Sequence, residues 1–300
     1  MFRYLFTIAI FILTVLAAFA QMVNPEQNLF SDEPFFNPEF IKKNKIKSIS
    51  TEHFFKPDQE KMHPKGLIII YEFSPDGNIN KRISKYRMPG GDFDTTYIYY
   101  EFDQAGRWSI KRTIDNFGFY SLTFIHDEKG NVIEEVLSRE LNATASKGNF
   151  ILSKQYHMGS EKYEIDYITS NFFKKRFLNN IGKPFKEIAY ALNDKGKVIE
   201  ETGTFLTTRM LERKTYKYDA NNRLVEKTEY SDASKQAELL YEYKYDEKSN
   251  LVEIKKLRNS LPLLVTDFML DERSFIIAKL SRDNAAKMID VIKFSYEFHL

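Results

Sequence analysis

A short phrase recurs along this 300-residue chain: an aromatic residue, Asp or Asn, two polar residues, Gly or a substitute, then a hydrophobic run. Copies include Tyr71-Glu72-Phe73-Ser74-Pro75-Asp76-Gly77, Tyr100-Glu101-Phe102-Asp103-Gln104-Ala105-Gly106-Arg107 and Ile125-His126-Asp127-Glu128-Lys129-Gly130. Later copies start at Leu192-Asn193, Tyr218-Asp219 and Tyr245-Asp246. The phrase has a turn mechanism. Asp or Asn accepts a hydrogen bond from a backbone N–H further on, and Gly then supplies a positive φ that a side chain resists. Together these make the corner of a β-hairpin, a type I turn closed by a left-handed residue. Asn222 stands where Gly is missing, and Asn tolerates that conformation best among the other residues. At the Tyr245 copy, Ser249 in this slot predicts a looser turn or a shift onto Asn250.

Between the corners the pattern has period two. Tyr241, Tyr243 and Tyr245 alternate with Glu242 and Lys244, and Phe294, Tyr296 and Phe298 alternate with Ser295 and Glu297. A strand collects such aromatics on one face, whereas helical spacing scatters them. Corners at Asp103, Asp115 and Asp127 are spaced by 12 residues, and Asn179 and Asn193 by 14. Tight corners make consecutive strands antiparallel neighbours. The expectation is therefore all-β: an extended or curled antiparallel meander of repeated β-hairpins, with about 14 to 16 strands. Longer connections are expected near 142–149 and 231–236.

The ends read differently. Arg3, the apolar run Leu5 to Leu16 and Ala18-Phe19-Ala20 have the form of an export signal over residues 1–20. Residues 21–66 read as a leader, broken by Pro25, Pro34, Pro38, Pro57 and Pro64. Within it, Asn37-Pro38-Glu39 predicts a short N-terminal helix, and Ile46-Lys47-Ser48-Ile49-Ser50 the first strand. Residues 67–300 form the β-repeat domain.

Composition excludes several classes. The chain has no Cys, which rules out disulfides, thiol-held metal or haem, and a lipid on an N-terminal Cys. Its 44 basic and 42 acidic side chains nearly balance without a long basic block, so no nucleic-acid partner is expected. An aromatic content of 15% argues against disorder.

At Tyr216, Tyr218, Asp219, Asn222, Arg223 and Leu224, and at Tyr100, Phe102, Asp103, Gly106 and Arg107, the chain resembles the YD repeats of RHS-type secreted proteins. Their pattern is Tyr-x-Tyr-Asp-x-x-Gly-Arg-Leu. The resemblance covers scattered copies from about residue 70 to 275 and implies repeated hairpins in an extended or coiled sheet. Larger members build hollow shells and carry a self-cleaving segment and a toxin beyond. This chain is too short for such a shell, so only the architecture carries over.

No catalytic, cofactor or metal residues emerge. His53, His63, His126, His157 and His299 form no helical zinc pair and no nucleophile motif. Glu134-Glu135, Glu200-Glu201 and Asp271-Glu272 read as adjacent strand residues, which face opposite ways, so none can flank one bond. The turn aspartates lack calcium-loop spacing. Tyr97, Tyr99, Tyr100 and Trp108 form the one candidate ligand platform, weighed against core packing. Asn142-Ala143-Thr144 fits a glycosylation sequon.

The functional expectation is an exported, non-catalytic β-repeat protein of the cell envelope: periplasmic, cell-surface or secreted. It would act as a scaffold or as a binding surface for another envelope protein or a glycan. The alternatives are an outer-membrane β-barrel, suggested by the amphipathic last strand, and a hydrolase with a dispersed site. Charges within strands such as Arg223 to Tyr230 weigh against membrane association.

Overall fold

The computed structural model describes residues 21–23, 25, 36–144, 146–231 and 237–300, without the side chain of Ser231. The expected export signal at 1–20 lies outside them. Helix α1 (Pro38–Lys43) is followed by β1 (Ile46–Pro57), β2 (His63–Phe73), β3 (Ile79–Arg87), β4 (Phe93–Phe102), β5 (Trp108–Ile114) and β6 (Phe119–His126). Next come β7 (Val132–Asn142), β8 (Leu152–Thr169), β9 (Phe172–Leu178), β10 (Pro184–Leu192), β11 (Val198–Phe205) and β12 (Leu211–Tyr218). The chain ends with β13 (Leu224–Ser231), β14 (Leu239–Tyr245), β15 (Leu251–Arg258), β16 (Leu261–Leu270), β17 (Ile276–Asp283) and β18 (Met288–Phe298).

Every strand pairs antiparallel with the next, and β18 then pairs with β1, with Ser295 opposite Ser50 and Ile292 opposite His53. The sheet is therefore a closed 18-stranded barrel, not the open or curled meander expected. An open one-sided sheet leaves two edges of unpaired N–H and C=O groups, and closure removes both. Within the stretch read as a leader, β1 and the start of β2 are strands of this wall. Eighteen strands spaced about 4.8 Å apart span a circumference of roughly 85 Å before tilt. Among the described residues, extensive strand packing is confined to ring neighbours.

The corners of the quoted phrase line one rim, joining β2 to β3, β4 to β5, β6 to β7, β10 to β11, β12 to β13, β14 to β15 and β16 to β17, whereas the Asp115 corner joins β5 to β6 on the opposite rim. Asp103 Oδ1 accepts the backbone N–H groups of Ala105 and Arg107, both at 2.9 Å, and Asn193 Oδ1 accepts those of Lys195 at 3.0 Å and Lys197 at 2.9 Å. The fourth turn residue takes positive φ: Gly106 at 75°, Gly130 at 88°, Gly196 at 75° and Asn222 at 62°. Ser249 takes it too, at 67°, so the Tyr245 corner neither loosens nor shifts onto Asn250. The ladder slips by one residue at each corner, as at Lys217/Tyr218 and Lys244/Tyr245, the bulge that a left-handed turn residue produces. The same corner chemistry at Asn179, which accepts from Ile181 and Lys183, sits on the opposite rim between β9 and β10.

Helix α1 closes part of the corner rim. Asn37 caps it by accepting the Glu39 N–H at 3.1 Å, Pro38 occupies its first position, and Lys42 and Lys43 end it. Phe40 and Ile41 enter a core with Met22, Phe36, Ile46, Ile49, Tyr71, Phe73 and Phe275. Phe36 meets Tyr71 edge-on at 4.9 Å, and Phe40 meets Phe275 at 5.6 Å. Gly77 lies so near the Pro38 carbonyl that a Cβ there would overlap it.

The wall has two unlike faces. The face that receives α1 carries Ile49, Tyr71, Tyr100, Tyr190, Tyr216 and Leu251, all at least nine-tenths buried. The other carries cross-strand ion pairs, among them Lys217–Glu226 at 2.8 Å and Lys244–Glu253 at 2.7 Å, whose lysines are 67% and 59% exposed. Such crowding on one side and exposure on the other assign the aromatic face to the lumen and the paired charges to the exterior.

On the exterior, residues 146–151 fold back as a strap over β4 to β6. The Phe150 ring stacks on Phe119 at 5.6 Å and lies 4.7 Å from the Arg112 guanidinium. Beneath it Arg112 Nε donates to Glu140 Oε2 at 2.5 Å and Arg112 Nη1 to Glu101 Oε1 at 2.5 Å. Glu140 is 1% exposed, so this ion pair is buried although it faces outward.

Candidate functional site

Tyr97, Tyr99, Tyr100 and Trp108 do not form one platform. The wall divides them, because Tyr99 and Tyr100 are consecutive in β4. Tyr97 and Tyr99 face outward, their rings 6.4 Å apart, with Lys81 Nζ 5.5 Å and 5.4 Å from their centroids. The strap covers them in part, and Tyr99 donates to Gly148 O at 3.3 Å. Tyr100 and Trp108 face the lumen, 5.3 Å apart, and Trp108 continues to Phe124 at 6.4 Å.

The lumen carries the larger aromatic surface. Tyr163 meets Phe177 edge-on at 5.0 Å, and Phe173 stacks on Tyr190 at 4.8 Å. Tyr190, Val198, Tyr216 and Leu224 form a buried cluster bordered by Phe173, Ile188 and Tyr243. Lysines lie on these rings: Lys175 Nζ is 3.5 Å from the Tyr163 centroid, and Lys186 Nζ is 4.4 Å from that of Phe205. Burial lowers the Lys175 pKa against the pull of Glu135 and Glu161. Inward charges also pair with hydroxyls. Tyr216 donates to Glu201 Oε1 at 2.7 Å, and Lys214 Nζ is 3.6 Å from Glu201 Oε2. Burial, then the Glu201 charge, pushes the Tyr216 hydroxyl far above its usual value, so it stays a neutral donor.

A cleft of about 510 Å³ opens over the β8–β10 wall, lined by Tyr163, Phe177, Ile181 and Phe185 among apolar groups and by Glu161 and Asn179 among polar ones. Ile181 is 74% exposed at its lip. Period two gave no notice of it, because the cleft depends on the β9–β10 corner folding beside a bulged β8.

The adjacent carboxylates separate as strand geometry requires. Glu134 faces outward to Lys162 and Glu135 inward. Glu200 faces outward to Arg213 at 2.8 Å, while Glu201 holds Tyr216 inside. Among the described residues no three His, Asp or Glu side chains gather in a group able to hold a metal ion. His126 lies beside the Asp127 corner, and burial followed by Arg107 lowers its pKa. The arrangement offers hydrogen-bond donors, carboxylates and ring faces.

No family model matches the chain. No curated protein matches it either. Among solved structures, a porin-like protein from Bacteroides uniformis is similar at 9% identity and a TM-score of 0.41, covering 84% of this chain and 98% of that one. A Tc holotoxin pore of Photorhabdus luminescens is similar at 13% identity and a TM-score of 0.16, covering 75% of this chain. The TcdB2-TccC3 structure is similar at 14% identity and a TM-score of 0.16, covering 72% of this chain. The chain spans only 16% of each of these last two.

Proposed function

We propose that this chain is an exported, non-catalytic β-barrel of the cell envelope that works in water, holding a guest against its aromatic lumen. Closure replaces the open scaffold surface with a vessel. The observation that carries the aqueous reading is the exterior of the wall. Every strand except β6 places a charged side chain there, from Glu52 and Lys56 on β1 to Lys293 and Glu297 on β18. An Arg or Lys facing lipid at mid-bilayer costs about 2–4 kcal/mol. Charges of this kind near the middle of the wall, such as Glu187 on β10 and Arg213 on β12, oppose an apolar girdle.

The second reading is an outer-membrane barrel, and closure with an even strand number favours it over any open sheet. Against it, the aromatics of the last strand turn inward. Tyr296 donates to Ile276 O at 2.5 Å, and Phe298 stacks on Phe275 at 6.0 Å. Carbonate extraction of the expressing cell separates the two. Release of the intact barrel into the soluble fraction is expected; retention in the pellet overturns the aqueous reading in favour of the membrane one.

A further inference from the structure

Strand β8 outruns one of its neighbours. Its residues 152–161 pair with β7 on one side, but the ladder with β9 begins only at Lys162, opposite Leu178. On the β9 side, the backbone of 152–161 makes no hydrogen bond to any described residue. At β4 the corresponding step leaves only residues 93–96 beyond the reach of β5. With a rise of about 3.3 Å per residue, β8 therefore presents an open edge roughly 30 Å long.

Large apolar side chains surround this edge. Tyr156 and Met158 are 52% and 55% exposed although they lie inside a regular strand. The cleft at Tyr163 and Ile181 occupies the space where β9 turns away. Other connections of the same rim also carry exposed apolar residues, among them Met88, Phe117 and Met210. The corner turns of the other rim hold none among the described residues.

An unpaired strand edge is completed by another extended backbone, and the side chains along it select which one. The register of β7 with β8 slips between Leu137 and Ser138, so Lys154 and Tyr156 share the lumen face with Gly159 and Glu161. Lys154 and Glu161 are both exposed. A two-fold axis at right angles to the sheet lays a second β8 antiparallel to the first with like faces together. In the register that sets Lys154 against Glu161, the ion pair forms twice, and Tyr156 falls opposite Gly159 of the other strand. The edge is thus complementary to itself in both charge and face.

We propose that residues 152–161 of β8 pair edge to edge with the same residues of a second copy of this chain, forming a two-fold dimer. The two Lys154–Glu161 pairs fix its register. Because the paired strands run in opposite directions, the barrels meet through their apolar rims. The dimer goes beyond the vessel reading and rests on the wall alone, not on any guest.

The test is sedimentation equilibrium of the whole barrel, with charge-swapped variants. A reversible monomer–dimer equilibrium is expected. Lys154→Glu and, separately, Glu161→Lys set like charges face to face and weaken the dimer about ten-fold. Lys154→Glu combined with Glu161→Lys restores it, while Lys217→Gln on the exterior leaves it unchanged. Hydrogen exchange on the unsubstituted chain should show residues 152–161 protected at dimer-forming concentrations and exchanging faster on dilution. A monomer at every concentration overturns the proposal, and so does a dimer indifferent to both single charge swaps. Pelleting in carbonate overturns the aqueous reading alone, because the same measurements can be run on detergent-solubilised barrel.

Discussion

The Tyr245 hydroxyl donates to the carbonyl oxygen of Leu224 at 2.7 Å, reaching from one corner of the rim to the preceding one. Tyr218 makes the same bond to Val198 O at 2.9 Å. Arg223 extends the link, lying 4.6 Å from the Tyr245 ring while its Nη1 donates to Ser249 Oγ at 3.0 Å. Asn250 Nδ2 passes it on to Ser274 Oγ at 3.1 Å. In these two copies of the phrase the second tyrosine is thus a strut between hairpins. Tyr245→Phe keeps the ring and loses the bond, so urea denaturation should register a loss of about 0.5–1.5 kcal/mol.

Gly77 and Gly106 have the same left-handed backbone, φ 86° and 75°, but different surroundings. Beside Gly106 there is open space, and beside Gly77 the Pro38 carbonyl. Alanine at either position incurs the left-handed strain of about 1–2 kcal/mol. Gly77→Ala must also push α1 off the rim. Limited proteolysis near Phe40 should accelerate in Gly77→Ala and stay at the wild-type rate in Gly106→Ala.

Arg112 and Glu140 form a buried pair, with side chains 9% and 1% exposed. Removing one partner strands the other charge, so Arg112→Met should cost about 3–5 kcal/mol. Arg112→Met combined with Glu140→Leu should recover most of that loss, because the carboxylate then left without Arg112, that of Glu101, is 49% exposed. A double-mutant cycle on unfolding free energy checks the coupling.

His53 gives stability a pH dependence of definite sign. Its folded pKa lies below the ordinary 6.5, through burial and the neighbouring Lys65 and Lys279. The unfolded chain therefore binds the proton first as pH falls. The stabilisation is complete above pH 6.5 and is lost as pH drops from there through the folded value. His53→Gln should flatten this slope in unfolding experiments between neutral pH and mild acid, while leaving the steeper carboxylate limb at lower pH.

Ser50 and Ser295 lie opposite one another where the first and last strands meet. The chain has no Cys, so Ser50→Cys with Ser295→Cys introduces a single designed pair into a thiol-free background. Oxidation should convert the double variant to a faster-migrating species on non-reducing gels. Neither single variant should change. Failure of the double variant to cross-link under denaturant-free conditions contradicts the closed ring.

The local chemistry of this fold is plain in the sequence, and its long-range closure is not. Asp103, Asn193 and Asp219 announce their corners because an Asx side chain and a left-handed residue act within five positions. Asn37 and Pro38 announce the helix for the same reason. The pairing of His53 with Ile292 has no local signal, because the two residues lie at opposite ends of the sequence. Pro57 and Pro64 suggested a leader, yet one ends β1 and the other is the second residue of β2, where a missing N–H disturbs the ladder least. The separation of Tyr97 and Tyr99 from Tyr100 was legible in principle, since consecutive residues of a strand face opposite ways. The meeting of Lys65 with Asp290 was not, because it exists only once β18, β1 and β2 are side by side.

The pairing of β1 with β18 also limits how such a molecule can change size over generations. An antiparallel ring admits strands only in pairs, so its circumference grows or shrinks by a whole hairpin with its corner. Loss of one strand leaves the last neighbour running the wrong way. Duplicating or deleting a segment the length of one repeated phrase and its two strands is the smallest inheritable step that keeps the circle intact.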